Sequence, residues 1–251
     1  MSRRVWITGA GKGIGREVAL RLLRDGDTVA ASARTADDLE SLEEAARALP
    51  GTAYSFPLDV TDEAACAGTF AAVERTIGPL DLVILNAGTH QPVPARQFKV
   101  EAFRTLMSVN LFGVVHCLAA VLPEFIGRRG GHVAVVASVA GYRGLPTASA
   151  YGASKAALIN MCEALKPELD EAGVRLSLVN PGFVRTPLTD RNEFDMPFLM
   201  EAEAAAGRLV DGLASGRFET TFPRRFTWMM KLLRILPYGL FFRVTRRLIP
   251  H

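Results

Sequence analysis

Thr8-Gly9-Ala10-Gly11-Lys12-Gly13-Ile14-Gly15 is the stretch on which the reading of this chain turns. It follows a short strand-like run at 4–8 and opens an amphipathic stretch at 13–25. Glycines at 9, 13 and 15 permit a tight turn and a close approach of backbone to a pyrophosphate. The helix start beyond them offers free N–H groups and the positive end of its dipole. A glycine cluster alone is weak evidence; its place between the first strand and the first helix gives it weight.

Working outward, short apolar runs alternate with amphipathic ones. Strands are predicted at 4–8, 28–33, 53–58, 82–86, 132–137, 175–179 and 218–222, and helices at 13–25, 36–48, 62–77, 101–127, 151–172 and 201–215. Leu82-Val83-Ile84-Leu85 and Val133-Ala134-Val135-Val136 are continuously apolar, as strands covered on both faces are. Strands alternating with helices predict βαβ units: an α/β fold with a Rossmann-type doubly wound parallel sheet in a single domain over 1–222. Thr35 with Asp38 three residues later predicts a cap for the second helix. No internal repeat or low-complexity linker interrupts the chain.

The second strand ends Ser32-Ala33-Arg34. An NAD site would place an acid there for the adenosine ribose 2′-hydroxyl, whereas a cation suits a 2′-phosphate. Arg34, with Lys12 as a second cation, therefore points to NADP(H). Asp37 and Asp38, the competing acidic candidates, read better as first-turn helix residues that favour the helix dipole.

Tyr151-Gly152-Ala153-Ser154-Lys155 puts a phenol and an ammonium on one helix face. A nearby ammonium, and the positive charge of oxidised nicotinamide, favour phenolate, so the tyrosine is expected to have a lowered pKa and to act as acid/base. Ser138, predicted just past the fifth strand, lies where doubly wound sheets build their sites, and its hydroxyl can orient a substrate oxygen. The competing reading of Ser138 is a serine that caps a turn. Asn86-Ala87-Gly88 closes the fourth strand. Asn110 sits inside a long helical region, where a mediocre helix former suggests a side chain engaged in a polar network. Pro181-Gly182 follows the sixth strand, with Thr186 four residues on.

Five such motifs, in this order, make residues ~4–222 resemble the short-chain dehydrogenase/reductase family, with its Thr-Gly-x-x-x-Gly-Ile-Gly and Tyr-x-x-x-Lys patterns. The resemblance implies a catalytic tetrad of Asn110, Ser138, Tyr151 and Lys155. Lys155 would also hold the nicotinamide ribose, and Asn110 would support a water-linked proton relay to Lys155. Gly9, Lys12, Gly13, Ile14, Gly15 and Arg34 would bind the phosphates. Asp59 and Val60 would contact the adenine, Asn86, Ala87 and Gly88 the adenosine ribose side, and Pro181, Gly182, Val184 and Thr186 the nicotinamide end. It implies hydride transfer between nicotinamide and a carbonyl/alcohol pair. Alternatives are NAD-dependent alcohol oxidation and a non-catalytic NADP-sensing or scaffold protein. A homodimer or homotetramer through helices 101–127 and 151–172 is implied by analogy. Leu85 departs from the frequent Asn-Asn-Ala-Gly, and the chain's ending differs from the family's usual short dimerising end.

Of 251 residues, 49% are apolar and 22% charged, ordinary for a globular protein and against disorder. The formal net charge is +3, but from residue 222 onward there are seven Lys/Arg and no Asp/Glu, leaving 22 basic against 26 acidic residues before it. This basic, aromatic stretch, 223–251, is expected to be an amphipathic helical extension, split by Pro237 into segments each too short to span a bilayer. It predicts peripheral membrane attachment, against the alternatives of a cover for the substrate pocket or a dimer contact. Nucleic acid is not expected, because the aromatics come with too many leucines and isoleucines. The loops 141–150, 90–97 and 186–200, with Tyr142, Leu145, Phe194, Met196, Phe198 and Met200, predict an apolar substrate pocket for a lipid- or steroid-like molecule. Cys66, Cys117 and Cys162 are scattered and read as buried apolar residues in a reducing compartment, and no metal set is present. With no signal peptide and no run of ~20 uncharged apolar residues read from the sequence, a cytoplasmic protein on or near a membrane face is expected.

Overall fold

The computed structural model describes residues 2–189 and 196–249. Seven strands, β1 Arg4–Thr8, β2 Thr28–Ala33, β3 Thr52–Pro57, β4 Leu82–Leu85, β5 His132–Val136, β6 Arg175–Pro181 and β7 Glu219–Phe222, form one sheet in the order β3-β2-β1-β4-β5-β6-β7. Every pairing is parallel. The central runs are covered on both faces, whereas the edge strand β3 leaves alternate residues exposed. Strand order reverses between β1 and β4, so the crevice past Thr8 and Leu85 is where this topology places a ligand.

Alternate side chains of each strand serve two cores. Val5, Ile7, Val29 and Ala31 face α1 (Gly13–Arg24), α2 (Ala36–Ala46) and α7 (Ala202–Ala214). Trp6, Val83, Val133 and Val135 face the layer of α3 (Glu63–Ile77), α5 (Gly113–Gly127) and α6 (Ser149–Glu171). The three cysteines are buried in this second core.

The expected elements are present, with ends moved by no more than two residues, apart from one region. The expected single helix at 101–127 is α4 (Val100–Met107), a π turn at Ser108–Phe112, and α5. A π turn inserts an extra residue into the helical ladder and re-aims side chains. Here it directs Asn110, fully buried, toward α6.

Two expectations need correction. Thr35 stands at the N-cap of α2 but makes no side-chain cap bond, and the Asp38 carboxylate, rather than reaching back to Thr35, pairs with Lys12. The segment Val100–Gly127 is long and apolar enough to cross a membrane by length and composition, which the sequence reading missed. Its apolar side has another use, since Val114, Cys117, Leu118, Val121 and Phe125 of α5 are buried against the sheet. The extension beyond Phe222 is helical as expected, folding as α8 (Arg224–Ile235) and α9 (Tyr238–Thr245), and Phe226 and Met230 of α8 join the core itself.

Candidate active site

The glycine turn is fixed from both sides. Gly9 adopts φ +69°, and a Cβ on Gly15 would lie 2.2 Å from the Gly9 carbonyl oxygen. Neither position tolerates a side chain. Asn86 donates from Nδ2 to the carbonyls of Thr8 (3.2 Å) and Gly9 (3.1 Å), while Thr8 Oγ1 accepts from the N–H groups of Asn86 (3.1 Å) and Ala87 (3.2 Å). The end of β4 thus holds the turn after β1. Lys12, the N-cap of α1, gives no side-chain cap, and the first turn has no acid. The helix start is therefore left for an external anion.

Beside it lies a cleft of about 450 Å³. Gly9, Lys12, Gly13, Ile14 and Asn86 line its middle, and Arg34, Asp59 and Val60 line one region. Ala87, Gly88, Ser138, Tyr151 and Lys155, with Pro181, Gly182, Val184 and Thr186, line the rest. The structure thus brings together every expected catalytic and cofactor-binding residue except Gly15 and Asn110, which stand behind the lining. Gly15 packs under Gly9, and Asn110 Oδ1 sits behind Gly88, where a Cβ would lie 3.4 Å from it and 3.6 Å from Lys155 Nζ.

Arg34 reaches the cleft, but the second expected cation is already engaged. Lys12 Nζ is 3.2 Å from Asp38 Oδ2, and Asp38 also lines the cleft. Sequence reading set Asp38 aside as a helix-dipole residue; its spacing from Arg34, one helical turn, was the available signal. Asp59 accepts from Thr61 N–H (2.9 Å) and hydroxyl (2.8 Å), which, with Arg34 nearby, hold its carboxyl below the usual range despite partial burial.

At the other end, Lys155 is buried and donates to the Val136 carbonyl at 3.0 Å. Burial pushes its ammonium down to about 8. Tyr151 departs from expectation. Burial raises its phenol and the hydrogen bond with Ser138 offsets this only in part, so the protein alone does not lower it. The ammonium is 5.8 Å from the Tyr151 ring centre. Ser138 does cap a turn, accepting from Ala140 N–H at 3.1 Å, and it also donates to the Pro181 carbonyl at 3.3 Å. Its two readings are compatible, because the same hydroxyl lines the cleft next to Tyr151.

Asn110 is in a polar network, as its type suggested. It donates to Thr89 O (3.0 Å) and Ser154 Oγ (3.1 Å) and accepts from Thr89 N–H (2.7 Å). Thr89 and Ser154 were missed. Ser154 lies within the Tyr-x-x-x-Lys stretch, but nothing local marks Thr89 as its partner. His90 packs edge-on against Tyr151, ring centres 4.7 Å apart.

Of the residues expected around substrate, Tyr142 belongs elsewhere. Its ring is buried in the core and its hydroxyl donates to Glu219, which also accepts from Asn180 (2.9 Å) and Lys231 (2.5 Å). Phe198 is half exposed, 6.4 Å from Phe226, and Met200 pairs in register with Val184. Phe194 lies outside the described residues.

The donor set suits a nicotinamide dinucleotide. A glycine turn with no room for side chains and an uncapped helix start sit mid-cleft, with a guanidinium, Tyr151 and the buried Lys155 elsewhere along its lining. Among the described residues no metal-binding cluster occurs.

A family model described as short chain dehydrogenase matches residues 3–196. An "Uncharacterized oxidoreductase" of Myxococcus xanthus is 38% identical over 98% of this chain and 97% of its own length. The 3-oxoacyl-[acyl-carrier-protein] reductase FabG of Thermotoga maritima is 35% identical over 74% of this chain and 75% of its own. Among solved structures, a short chain dehydrogenase/reductase from Burkholderia phymatum in complex with NAD superposes with a TM-score of 0.85. It covers 92% of each chain at 24% identity, a likeness of fold.

Proposed function

From the premise that this chain belongs to the short-chain dehydrogenase/reductase family of oxidoreductases, we propose that it is an NADP(H)-dependent enzyme interconverting a carbonyl and an alcohol on a hydrophobic substrate. The observation that carries this reading is the meeting of Ser138, Tyr151 and Lys155 in the same cleft as the glycine turn, with Asn110 held immediately behind. When bound, the nicotinamide supplies or accepts the hydride. Gly9, Gly13, Ile14 and Gly15 would hold its pyrophosphate, Arg34 its 2′-phosphate, Asp59 and Val60 its adenine, and Pro181, Gly182, Val184 and Thr186 its nicotinamide end.

The chain's own residues handle the proton. The Ser138 hydroxyl orients the substrate oxygen. Tyr151 delivers its phenolic proton to the developing alkoxide, or removes one from an alcohol in reverse. A phenol raised by burial is protonated at neutral pH, which suits the reducing direction. Lys155 holds the nicotinamide ribose and, with Asn110, returns a proton from solvent to Tyr151. Val184, Pro187 and Leu188 add apolar surface to the cleft, which supports an apolar substrate. A homodimer or homotetramer through the helical regions 101–127 and 151–172 fits the exposed Phe112 and Ile126, and light scattering on the purified protein tests it.

Asp38 is the observation that favours NAD instead, since its carboxylate shares the cleft with Arg34 and neutralises Lys12. Titration with NADPH and with NADH, followed by tryptophan quenching, decides between them. Tenfold tighter NADPH, about 1.4 kcal/mol, supports the proposal, and equal or tighter NADH overturns its cofactor half.

A further inference from the structure

The extension formed by α8 and α9 has two unlike faces. The inner one is used. Phe226, Met230, Phe241 and Thr245 are buried, and the rings of Phe226 and Phe183 are 5.1 Å apart. Lys231 reaches Glu219, and Arg143 donates to the Arg234 carbonyl (2.5 Å) while stacking over Tyr238 and Phe241. These contacts fix both helices on the body of the protein.

The outer face is left to the surroundings. Trp228 is 73% exposed, Ile235 76% and Tyr238 70%, and Leu232, Phe242 and Leu248 are each more than half exposed. Among them stand Arg224, Arg225, Arg234, Arg243, Arg246 and Arg247, all exposed. Among the described residues none of the six pairs with a carboxylate, and no Asp or Glu follows Glu219 in the chain. Soluble surfaces usually mix both signs of charge and scatter their large apolar residues singly. Here large apolar side chains are concentrated with charge of one sign.

We propose that this outer face docks on a lipid bilayer bearing anionic headgroups. Charge complementarity selects that occupant. A second copy seated symmetrically on the same face would set these six arginines against six more, with no Asp or Glu of the extension to relieve them. An anionic headgroup layer instead meets every arginine with phosphate or carboxylate, while Trp228, Ile235 and Phe242 enter the acyl boundary. The helices are of a length for this. Twelve and eight residues make roughly 18 and 12 Å, too short to span a hydrocarbon core of about 30 Å, so they lie in the interface plane. The rest of the chain, with 22 basic against 26 acidic residues, adds orientation, because the extension approaches a negative surface first. Gly182, which lines the cleft, abuts Phe226 of α8, so the docked extension and the cleft share a wall. Docking does not depend on which reaction the cleft performs.

The test is co-sedimentation of the full-length protein with phosphatidylcholine vesicles, with and without phosphatidylglycerol. The protein should pellet with the anionic vesicles and stay in solution with the neutral ones. Each basic residue near an anionic surface strengthens binding about fivefold, so replacing Arg243, Arg246 and Arg247 together by Gln should weaken it on the order of 100-fold. A second variant, Trp228→Glu with Ile235→Glu, should also lose vesicle binding while its melting temperature stays at the parent value. Three results overturn the proposal: no pelleting with either vesicle, equal pelleting with both that the arginine variant leaves unchanged, or a dimer in light scattering that Trp228→Glu dissociates.

Discussion

Replacing Lys155 by Met should make the cofactor-free protein more stable at neutral pH, although it removes a residue of the proposed catalytic set. The Lys155 side chain is buried with no carboxylate paired to it among the described residues, its Nζ donating to the Val136 carbonyl at 3.0 Å. Burial lowers its pKa from the ordinary 10.5 to about 8. Between those values the unfolded chain binds more protons than the folded one, so this group makes stability rise with pH across that window and imposes its full cost below it. At 1.36 kcal/mol per pH unit the cost at pH 7 is roughly 3 kcal/mol. Methionine fills a similar volume without charge but forfeits the bond to Val136, worth about 1 kcal/mol. The net gain is about 2 kcal/mol at pH 7, or about 4–8 °C in Tm for a chain of this size. By pH 10 most of the difference should be gone, because the parent lysine is then neutral in the folded protein. Thermal and urea unfolding of both proteins at pH 7 and pH 10 measures this. A variant no more stable than the parent at pH 7, or a difference independent of pH, would refute the reasoning. Such a gain at the expense of activity is the trade-off expected where function requires a buried charge.

Two further outcomes follow from the site and its supports. Asp38→Asn frees Lys12, whose side chain is 64% exposed, so the pair itself adds no more than about 1 kcal/mol to folding. NADPH should bind about fivefold tighter and NADH nearly unchanged, as read by parallel titrations, and equal effects on both would remove Lys12 from 2′-phosphate recognition. At Glu219 burial raises the carboxyl, but hydrogen bonds from Lys231, Tyr142 and Asn180 outweigh it and hold the pKa below the ordinary value. Its stabilisation is complete above about pH 4.3 and lost as pH falls through the lower folded value. Glu219→Gln should therefore cost about 1–2 kcal/mol at pH 7 and progressively less as pH falls below about 4.3, by urea unfolding across that range.

The sheet was legible because its central strands are buried on both faces and read as unbroken apolar runs. β4 and β5 needed no partner to be recognised. The cleft was legible because the glycine turn, Asn86-Ala87-Gly88, Ser138 and Pro181-Gly182 all stand at or just past carboxyl ends of strands, which a parallel sheet gathers on one edge. What stayed hidden depends on distant partners. Tyr142 looked like a pocket residue because Glu219, 77 positions away, is invisible to local pattern. The π turn at Ser108–Phe112 has the composition of an ordinary helix, and only the seat of Asn110 between Thr89 and Ser154 reveals it. Asp38 sits at the start of α2 as its type suggested, yet its carboxylate answers to Lys12 across the turn.

The most direct measurement is turnover of Tyr151→Phe on a panel of hydrophobic ketones and aldehydes, followed by consumption of NADPH and paired with NADPH titration. The account predicts that the parent reduces at least one member of the panel. In the variant the rate should fall on the order of 10²–10⁴-fold, the contribution of a positioned acid/base, while NADPH affinity is retained. A variant that turns over at the parent rate, or a parent that binds NADPH and reduces nothing across a broad panel, would contradict it.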